Sequence, residues 1–336
     1  MNITIIGDGG WGTAIGLLLN TYGHDVTVWG PFEDYLEEIR SCHENTRFLP
    51  GIPLPATLRW TSDPADAVAG TNAVVLATPS KFYADVCGRF KGLIPAHALV
   101  ISLTKGLCEA THCRMSELAQ DILGLDTIAV LSGPSHAEEV ARKIPTAVVA
   151  ASEDEAVALR VQQLFSGPLF RVYTSTDPLG VEIGGAVKNV IAIASGVCDG
   201  LGLGLSARAA MMTRGLVEMR RLGMSLGANP HTFSGLAGVG DLILTCTGSL
   251  SRNYTVGKKL GEGLSIDDIL ASMRMVAEGV KTAKSVFNLS TKRGVEMPIC
   301  HEVYRILYEG LPPGEAVLRL MTRSLRQELD DEVIAY

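Results

Sequence analysis

The stretch Gly7-Asp8-Gly9-Gly10-Trp11-Gly12 constrains this chain most. It follows the β-branched run Ile3-Thr4-Ile5-Ile6 at once and leads into a helix-forming one, Thr13 to Tyr22. Gly7 permits a tight turn, Gly9 lets main chain approach a pyrophosphate, and Gly12 lets the helix pack close to the strand. The pyrophosphate then rests on N–H groups at the helix N-terminus, where the macrodipole favours an anion. G-x-G-x-x-G alone is weak in a chain with 36 glycines. Set between a strand, a helix and a second strand at Asp25 to Trp29, it predicts a dinucleotide-binding turn.

The pattern around the turn extends the same architecture. Ala73 to Ala77, Leu99 to Ser102 and Ile128 to Leu131 are short apolar runs separated by helical stretches, as in a parallel sheet buried on both faces. Thr146 to Ala151 and Phe170 to Tyr173 are expected to extend the sheet at its far edge. Asp63-Pro64, Asp177-Pro178 and Asn229-Pro230 each put a capping side chain before a proline at the first helical position. Ser152 with Glu155, and Ser265 with Asp268, read as capping boxes or close variants.

After Asp177 strand signals almost vanish. Helices are predicted over 178–197, 206–227, 252–260, 280–293, 299–309 and 314–321. The chain therefore divides into an α/β Rossmann-type doubly wound domain, residues 1–177, and an all-α domain, residues 178–336, with the active site between them.

Composition excludes several classes. Lys and Arg number 29 against 36 Asp and Glu, a formal charge of −7, which argues against a nucleic-acid partner but not against a small anion. No apolar run is expected to approach membrane-spanning length, and a strand beginning at Asn2 leaves no room for a signal peptide. Seven cysteines without a C-x-x-C pattern read as reduced thiols in a cytoplasmic protein. Cys108 and Cys113 flank His112, but no second ligand pair lies near, so no metal is expected.

The second strand is followed by Gly30-Pro31-Phe32-Glu33. An NAD site usually carries an acid at that tip to bind the ribose 2′-OH. No acid and no arginine stand at the expected place, so both NAD and NADP are expected to be accepted with a slight preference for NADPH; Pro31→Arg is expected to shift preference toward NADPH and Gly30→Asp toward NADH.

Lys188 lies in a stretch of Gly, Ala, Val and Ile, Gly184-Gly185-Ala186-Val187-Lys188-Asn189-Val190. Burial there would lower its pKa toward neutrality and suit it to proton transfer, whereas a position on the helix edge would let it snorkel to water. Lys105 follows a strand end and is a ligand cation or a solvated loop lysine. Asp241 is an orienting carboxylate, a helix cap, or both. Ser251-Arg252-Asn253 is a phosphate site at a helix start, or a cap followed by a surface arginine.

In order, the chain carries the glycine turn, Asn45-Thr46-Arg47-Phe48-Leu49-Pro50-Gly51-Ile52, Thr104-Lys105-Gly106-Leu107, Ser132-Gly133-Pro134-Ser135-His136-Ala137 and Gly184 to Val190. Gly238-Val239-Gly240-Asp241-Leu242-Ile243-Leu244-Thr245-Cys246, Ser251-Arg252-Asn253 and Val276-Ala277-Glu278-Gly279 follow. This ordered set, from residue 2 to about 322, resembles the NAD(P)-dependent glycerol-3-phosphate dehydrogenases of the bacterial type.

The resemblance implies reversible reduction of dihydroxyacetone phosphate to sn-glycerol 3-phosphate by NAD(P)H, a supply of glycerophospholipid backbone, a helical domain like the C-terminal domain of 6-phosphogluconate dehydrogenase, and a homodimer. It implies Lys188 as the proton-transfer residue with Asp241 beside it. It implies substrate contacts at Lys105, Gly133, Ser135, Lys188, Asp241, Ser251, Arg252 and Asn253. Cofactor contacts are implied at Gly7, Gly9, Gly10, Trp11, Gly12, Phe48, Lys105, Ala137, Arg252, Val276 and Glu278. Thr245 is expected to join the hydrogen-bond network, and His136 to be an ordinary loop histidine. Many relatives have Ser at Gly10 and a charged or polar residue at Pro31. The competing readings are a β-hydroxyacid or sugar-acid dehydrogenase of the same architecture, and a nucleotide-binding regulator without turnover, which would not need Lys188 and Asp241.

Overall fold

The computed structural model describes residues 1–248, 250–273 and 277–328. One sheet holds eight strands: β1 (Asn2–Ile6), β2 (Asp25–Trp29), β3 (Arg59–Thr61), β4 (Ala73–Leu76), β5 (Leu99–Ser102), β6 (Ala129–Ser132), β7 (Thr146–Ala151) and β8 (Phe170–Ser175). Their spatial order is β3-β2-β1-β4-β5-β6-β7-β8. The order reverses between β1 and β4, and such a sheet receives its ligand outside the C-terminal ends of the strands at that point. Ile6 pairs with Trp29 on one side and Leu76 on the other, so the loops after β1, β2 and β4 leave the sheet at one level.

Alternating side chains of the same strands fill both faces. Ile3, Ile5, Val28 and Val75 enter one apolar core, and Ile6, Trp29, Val74 and Leu76 enter the other. Burial on both faces explains why these strands read as continuous apolar runs. The far-edge extension is present, but β6 and β7 run antiparallel, so the sheet is not parallel throughout. The three-residue strand β3 at the opposite edge carries no alternation long enough to read. The first helix, Gly10–Thr21, starts three residues before the expected Thr13, with Gly9 as its cap.

Most capping signals hold. Asp63 accepts from the N–H groups of Ala65 and Asp66, Asp177 from Gly180, and Ser265 from Asp268. Asn229 caps a short 3-10 turn, Pro230–Ser234, and not an α-helix. The expected Ser152 cap is displaced: the Glu155–Phe165 helix is capped by Asp154, whose carboxylate accepts from Ala156, while Ser152 accepts the N–H of Asp154.

Beyond Ser175 the described chain is helical. Its axis is Pro178–Gly200, packed against Gly204–Leu226, Asp241–Thr247, Arg252–Gly261, Glu278–Arg293 and Pro298–Tyr308. The expectation about spanning length needs correction here. This helix has 23 residues and holds an 18-residue stretch with a mean hydropathy of 1.4, long and apolar enough to cross a membrane, but that stretch is wholly buried inside the protein. A helix covered on every side by other helices has no polar face to show.

Two glycines, one on this helix and one on the 252–261 helix, set how closely it is covered. A Cβ on Gly196 would lie 2.1 Å from the carbonyl oxygen of Tyr254, and one on Gly257 would lie 1.9 Å from that of Ile193. The 178–200 and 252–261 helices therefore meet backbone to backbone. Glu182, one turn into the axial helix, fastens it to the sheet half: its carboxylate accepts from the N–H and hydroxyl of Ser116 at 2.9 and 2.6 Å and pairs with Arg114 at 2.9 Å.

Candidate active site

The turn after β1 has the geometry its sequence predicts. Gly7 sits at φ +128°, a conformation L side chains rarely adopt, and a Cβ on Gly12 would fall 2.0 Å from the Gly7 carbonyl oxygen. No atom lies within 4 Å of where a Gly9 Cβ would be, and the helix that follows has neither a side-chain cap nor an acid in its first turn. Its leading N–H groups are left to an anion, so the residues present fit a dinucleotide pyrophosphate.

Asn45 clamps the next segment onto this turn. Its amide donates to the Asp8 carbonyl at 2.8 Å and the Thr13 hydroxyl at 2.7 Å, and its oxygen accepts from Phe48 N–H and the Tyr35 hydroxyl. Phe48 is thereby drawn over the helix start, and its carbonyl oxygen lies 2.4 Å from the Cβ position of Gly10. A serine at residue 10 has no room beneath that loop. Ala137, on the Ala137–Ala141 helix, faces Gly10 from the other side, and Trp11 is half-buried beside them.

At the tip of β2 the sequence reading needs correction. A Cβ on Gly30 would stand 2.6 Å from a carboxylate oxygen of Asp8. An acid does occupy the tip of β2, but it comes from the turn after β1. Gly30→Asp would have to push that carboxylate aside and so would exchange one acid for another at the tip. Burial raises the Asp8 pKa to about 6, its own main-chain N–H and the Arg47 charge opposing. Asp8 was legible in principle, because β1 and β2 end in register and the charged residue inside G-x-G lies just beyond that end.

A second cluster lies further along the C-terminal edge of the sheet. Lys105, after β5, donates to Asp241 at 2.7 Å and to the Gly133 carbonyl at 3.1 Å. Ser135 donates to that same carbonyl at 3.0 Å. Lys188 donates to the other Asp241 oxygen at 2.5 Å and to Thr245 at 2.7 Å. The Leu236–Gly240 segment, wound as a π-helix, delivers Asp241 to the start of the Asp241–Thr247 helix. π-Turns of this kind are frequent at functional sites.

Lys188 and Asp241 are buried, with Asp241 fully inaccessible. The snorkelling alternative is thereby removed. Burial lowers the Lys188 pKa to about 7; Asp241 opposes the shift and Lys105 reinforces it. Burial alone would raise the Asp241 carboxyl, but Lys105 and Lys188 outweigh it and hold the group below its ordinary value. An ammonium has three donors and Lys188 spends two on protein, which leaves one for a bound oxygen.

Ser251 caps the Arg252–Gly261 helix by accepting from Tyr254 N–H, and Arg252 is exposed at its first turn. Asn253 is spent structurally: its oxygen accepts the Gly279 N–H at 2.9 Å and its amide donates to Asn189 at 2.9 Å. That second bond ties the Arg252 helix to the residue next to Lys188. Glu278 accepts from both the N–H and hydroxyl of Ser80 in the loop after β4, a link the sequence did not reveal. Burial raises its carboxyl, the Ser80 donors and Arg252 opposing. Val276 lies outside the described residues.

Burial lowers the His136 pKa and so favours its neutral form, and its Nε2 has no hydrogen-bond partner among the described residues. Cys108, His112 and Cys113 close a tight turn, with Cys108 N–H donating to the Cys113 carbonyl and His112 at φ +61°. Among the described residues no group of three or more His, Cys, Asp or Glu stands together to hold a metal.

Comparison with known proteins covers nearly the whole chain. Residues 2–158 match the family model of the NAD-dependent glycerol-3-phosphate dehydrogenase N-terminus, and residues 177–318 that of its C-terminus. The glycerol-3-phosphate dehydrogenase [NAD(P)+] of Geobacter sulfurreducens is 51% identical over 329 residues, covering 97% of this chain and 98% of that one. The protein of the same name from Myxococcus xanthus is 49% identical over 332 residues, covering 98% and 99%. The crystal structure of glycerol-3-phosphate dehydrogenase from Coxiella burnetii superposes with a TM-score of 0.92 at 40% identity, covering 96% of this chain and 99% of that chain.

Proposed function

The chain belongs to the NAD-dependent glycerol-3-phosphate dehydrogenase family, and from that premise we propose how its own residues carry the reaction. The enzyme reduces dihydroxyacetone phosphate to sn-glycerol 3-phosphate, reversibly, with NADH or NADPH. The observation that carries the reading is the buried Lys188–Asp241–Lys105 cluster at the edge of the sheet that also holds the glycine turn.

Gly7, Gly9, Gly10, Trp11 and Gly12 would hold the nicotinamide cofactor, which when bound would supply the hydride for C2 of the substrate. Lys188 holds a proton at the C2 carbonyl oxygen and gives it up as that oxygen becomes a hydroxyl; in the reverse direction the neutral amine takes it back. Asp241 and Thr245 orient the amine, so its remaining donor points one way. Lys105, with Gly133 and Ser135 beside it, stabilises the negative charge that develops on the oxygen. Arg252 and the N–H groups of the helix that Ser251 opens grip the phosphate. Asn253 acts by fixing that helix to Asn189. Phe48, Ala137, Val276 and Glu278 are assigned to the cofactor side, Glu278 through the Ser80 loop.

We divide the chain into a cofactor domain, residues 1–177, and a helical substrate domain, residues 178–336. By family resemblance we assign it to the cytoplasm as a homodimer that supplies glycerophospholipid synthesis. The test is a steady-state assay of dihydroxyacetone phosphate reduction with NADH and NADPH in parallel, with unphosphorylated dihydroxyacetone as the control. Equal use of the phosphorylated and unphosphorylated ketones would remove the phosphate site from the reading.

A further inference from the structure

We propose that Asp8 sets the cofactor preference of this enzyme, its carboxylate accepting from the adenosine ribose 2′-OH of NADH and repelling the 2′-phosphate of NADPH. The inference rests on reading the glycine turn as the dinucleotide site. Three observations carry it.

The first is position. In a doubly wound sheet the adenosine ribose lies at the tip of the second strand, and the acid that binds it ordinarily grows from that tip. Here the tip is Gly30, directly after Trp29, and the Asp8 carboxylate covers it so closely that a Cβ there would have to displace it. β1 and β2 are hydrogen-bonded neighbours ending at Ile6 and Trp29, so the turn after one strand reaches the tip of the next. The carboxylate has the place of the usual acid and differs only in the strand that supplies it.

The second is availability. The Asp8 main chain is fully engaged: its carbonyl accepts from Asn45 and Thr13. That fixes the residue's backbone. The carboxylate, by contrast, takes a hydrogen bond only from its own main-chain N–H and feels Arg47 from further off. A half-buried carboxylate with unused lone pairs beside a ligand groove is a ready acceptor for a hydroxyl.

The third is charge. Arg47, the cation whose charge acts on Asp8, is committed elsewhere: it pairs with Glu38 at 2.9 Å and lies over the Tyr35 ring at 4.1 Å. Arg40, the other cation of this rim, pairs with Glu33 and Glu37. Two arginines thus stand among four acids, Asp8, Glu33, Glu37 and Glu38. A dianionic 2′-phosphate entering there meets an excess of negative charge, while a ribose hydroxyl meets an acceptor. Pro31 and Phe32 add no compensating cation.

The test uses the full-length enzyme and isothermal titration calorimetry with NADH, NADPH and 2′,5′-ADP, followed by kcat/KM for both reduced cofactors. Wild type is expected to bind NADH about 10–100-fold more tightly than NADPH, the worth of one charge-assisted hydrogen bond. Asp8→Asn should shrink that ratio at least about tenfold, chiefly by tightening NADPH and 2′,5′-ADP, since an amide no longer repels phosphate. Asp8→Ala should weaken NADH as well. Far-UV circular dichroism on both variants shows that they remain folded. A wild-type preference for NADPH that disappears in Arg47→Ala would overturn the proposal, with Arg47 and not Asp8 reading the ribose. A cofactor ratio unchanged in both Asp8 variants would overturn it too. Failure of wild type to bind either cofactor would bring down the dinucleotide reading itself, and this proposal with it.

Discussion

Asp241→Asn isolates what the buried carboxylate does for Lys188. The substitution keeps the shape and removes the charge that faces Lys188 at 2.5 Å and Lys105 at 2.7 Å. An uncompensated buried ammonium responds by losing its proton. Each factor of ten in proton affinity is about 1.4 kcal/mol. Loss of one charged hydrogen bond, about 1.5–3 kcal/mol, therefore lowers the proton affinity of Lys188 roughly 10–100-fold. Wild-type Lys188 titrates at about 7, so about half of it is protonated at that pH. In the variant the fraction falls to roughly a tenth or a hundredth, and ketone reduction at neutral pH should slow about 5–50-fold.

The sign is specific. Reduction needs the protonated lysine, so wild-type kcat should fall as pH rises through about 7, and the variant's fall should come at lower pH. Oxidation needs the neutral amine, so its rising limb should also move down in pH. The assay is kcat in both directions between pH 5 and 9, after confirming that chemistry limits turnover. If the two pH profiles of Asp241→Asn superimpose on those of wild type, Asp241 does not set the protonation of Lys188 and the proton-transfer assignment loses its support.

Lys188→Ala should lower kcat by about a hundredfold or more, the usual worth of general acid–base catalysis, with calorimetric NADH affinity nearly unchanged; a variant that keeps most of its turnover refutes the assignment. Arg252→Ala should raise KM for dihydroxyacetone phosphate about 10–100-fold while leaving cofactor KM within a few-fold, the loss expected for a charged hydrogen bond to phosphate. Gly257→Ala puts a methyl group 1.9 Å from the Ile193 carbonyl oxygen. It should lower stability by about 1–3 kcal/mol in denaturant titration, as overpacking does; a neutral result would mean the two helices separate without cost.

The parts of this protein that local chemistry dictates were legible beforehand. The glycine turn, the strands after it, the Asp63, Asp177 and Ser265 caps and the apolar stretch around Lys188 each follow from neighbours in sequence. That Lys105, Gly133 and Ser135 meet follows from strands that end on one edge, whereas their reading as substrate contacts came from the family resemblance. Links made only by tertiary structure were not legible. Glu278 reaches Ser80 across 198 positions. The place of Asp8 beside Gly30 was open to the sequence through the β1–β2 register but was not read. The cap at Asp154 was missed because Ser152, two residues earlier, offered the same chemistry one step too soon.

The backbone contact between the 178–200 and 252–261 helices has a consequence for how the protein is made. During synthesis the apolar axial segment emerges about 50–60 residues ahead of the helix that seals it, a lag of about 3–12 s at roughly 5–20 residues per second. Over that interval the face that the 252–261 helix will seal stays open, while the sheet half is already complete. The nascent chain is then a finished nucleotide domain trailing a sticky tether. A ribosome arrested near codon 245 should display a chain that captures a holdase chaperone, and one arrested past the last described helix should release it.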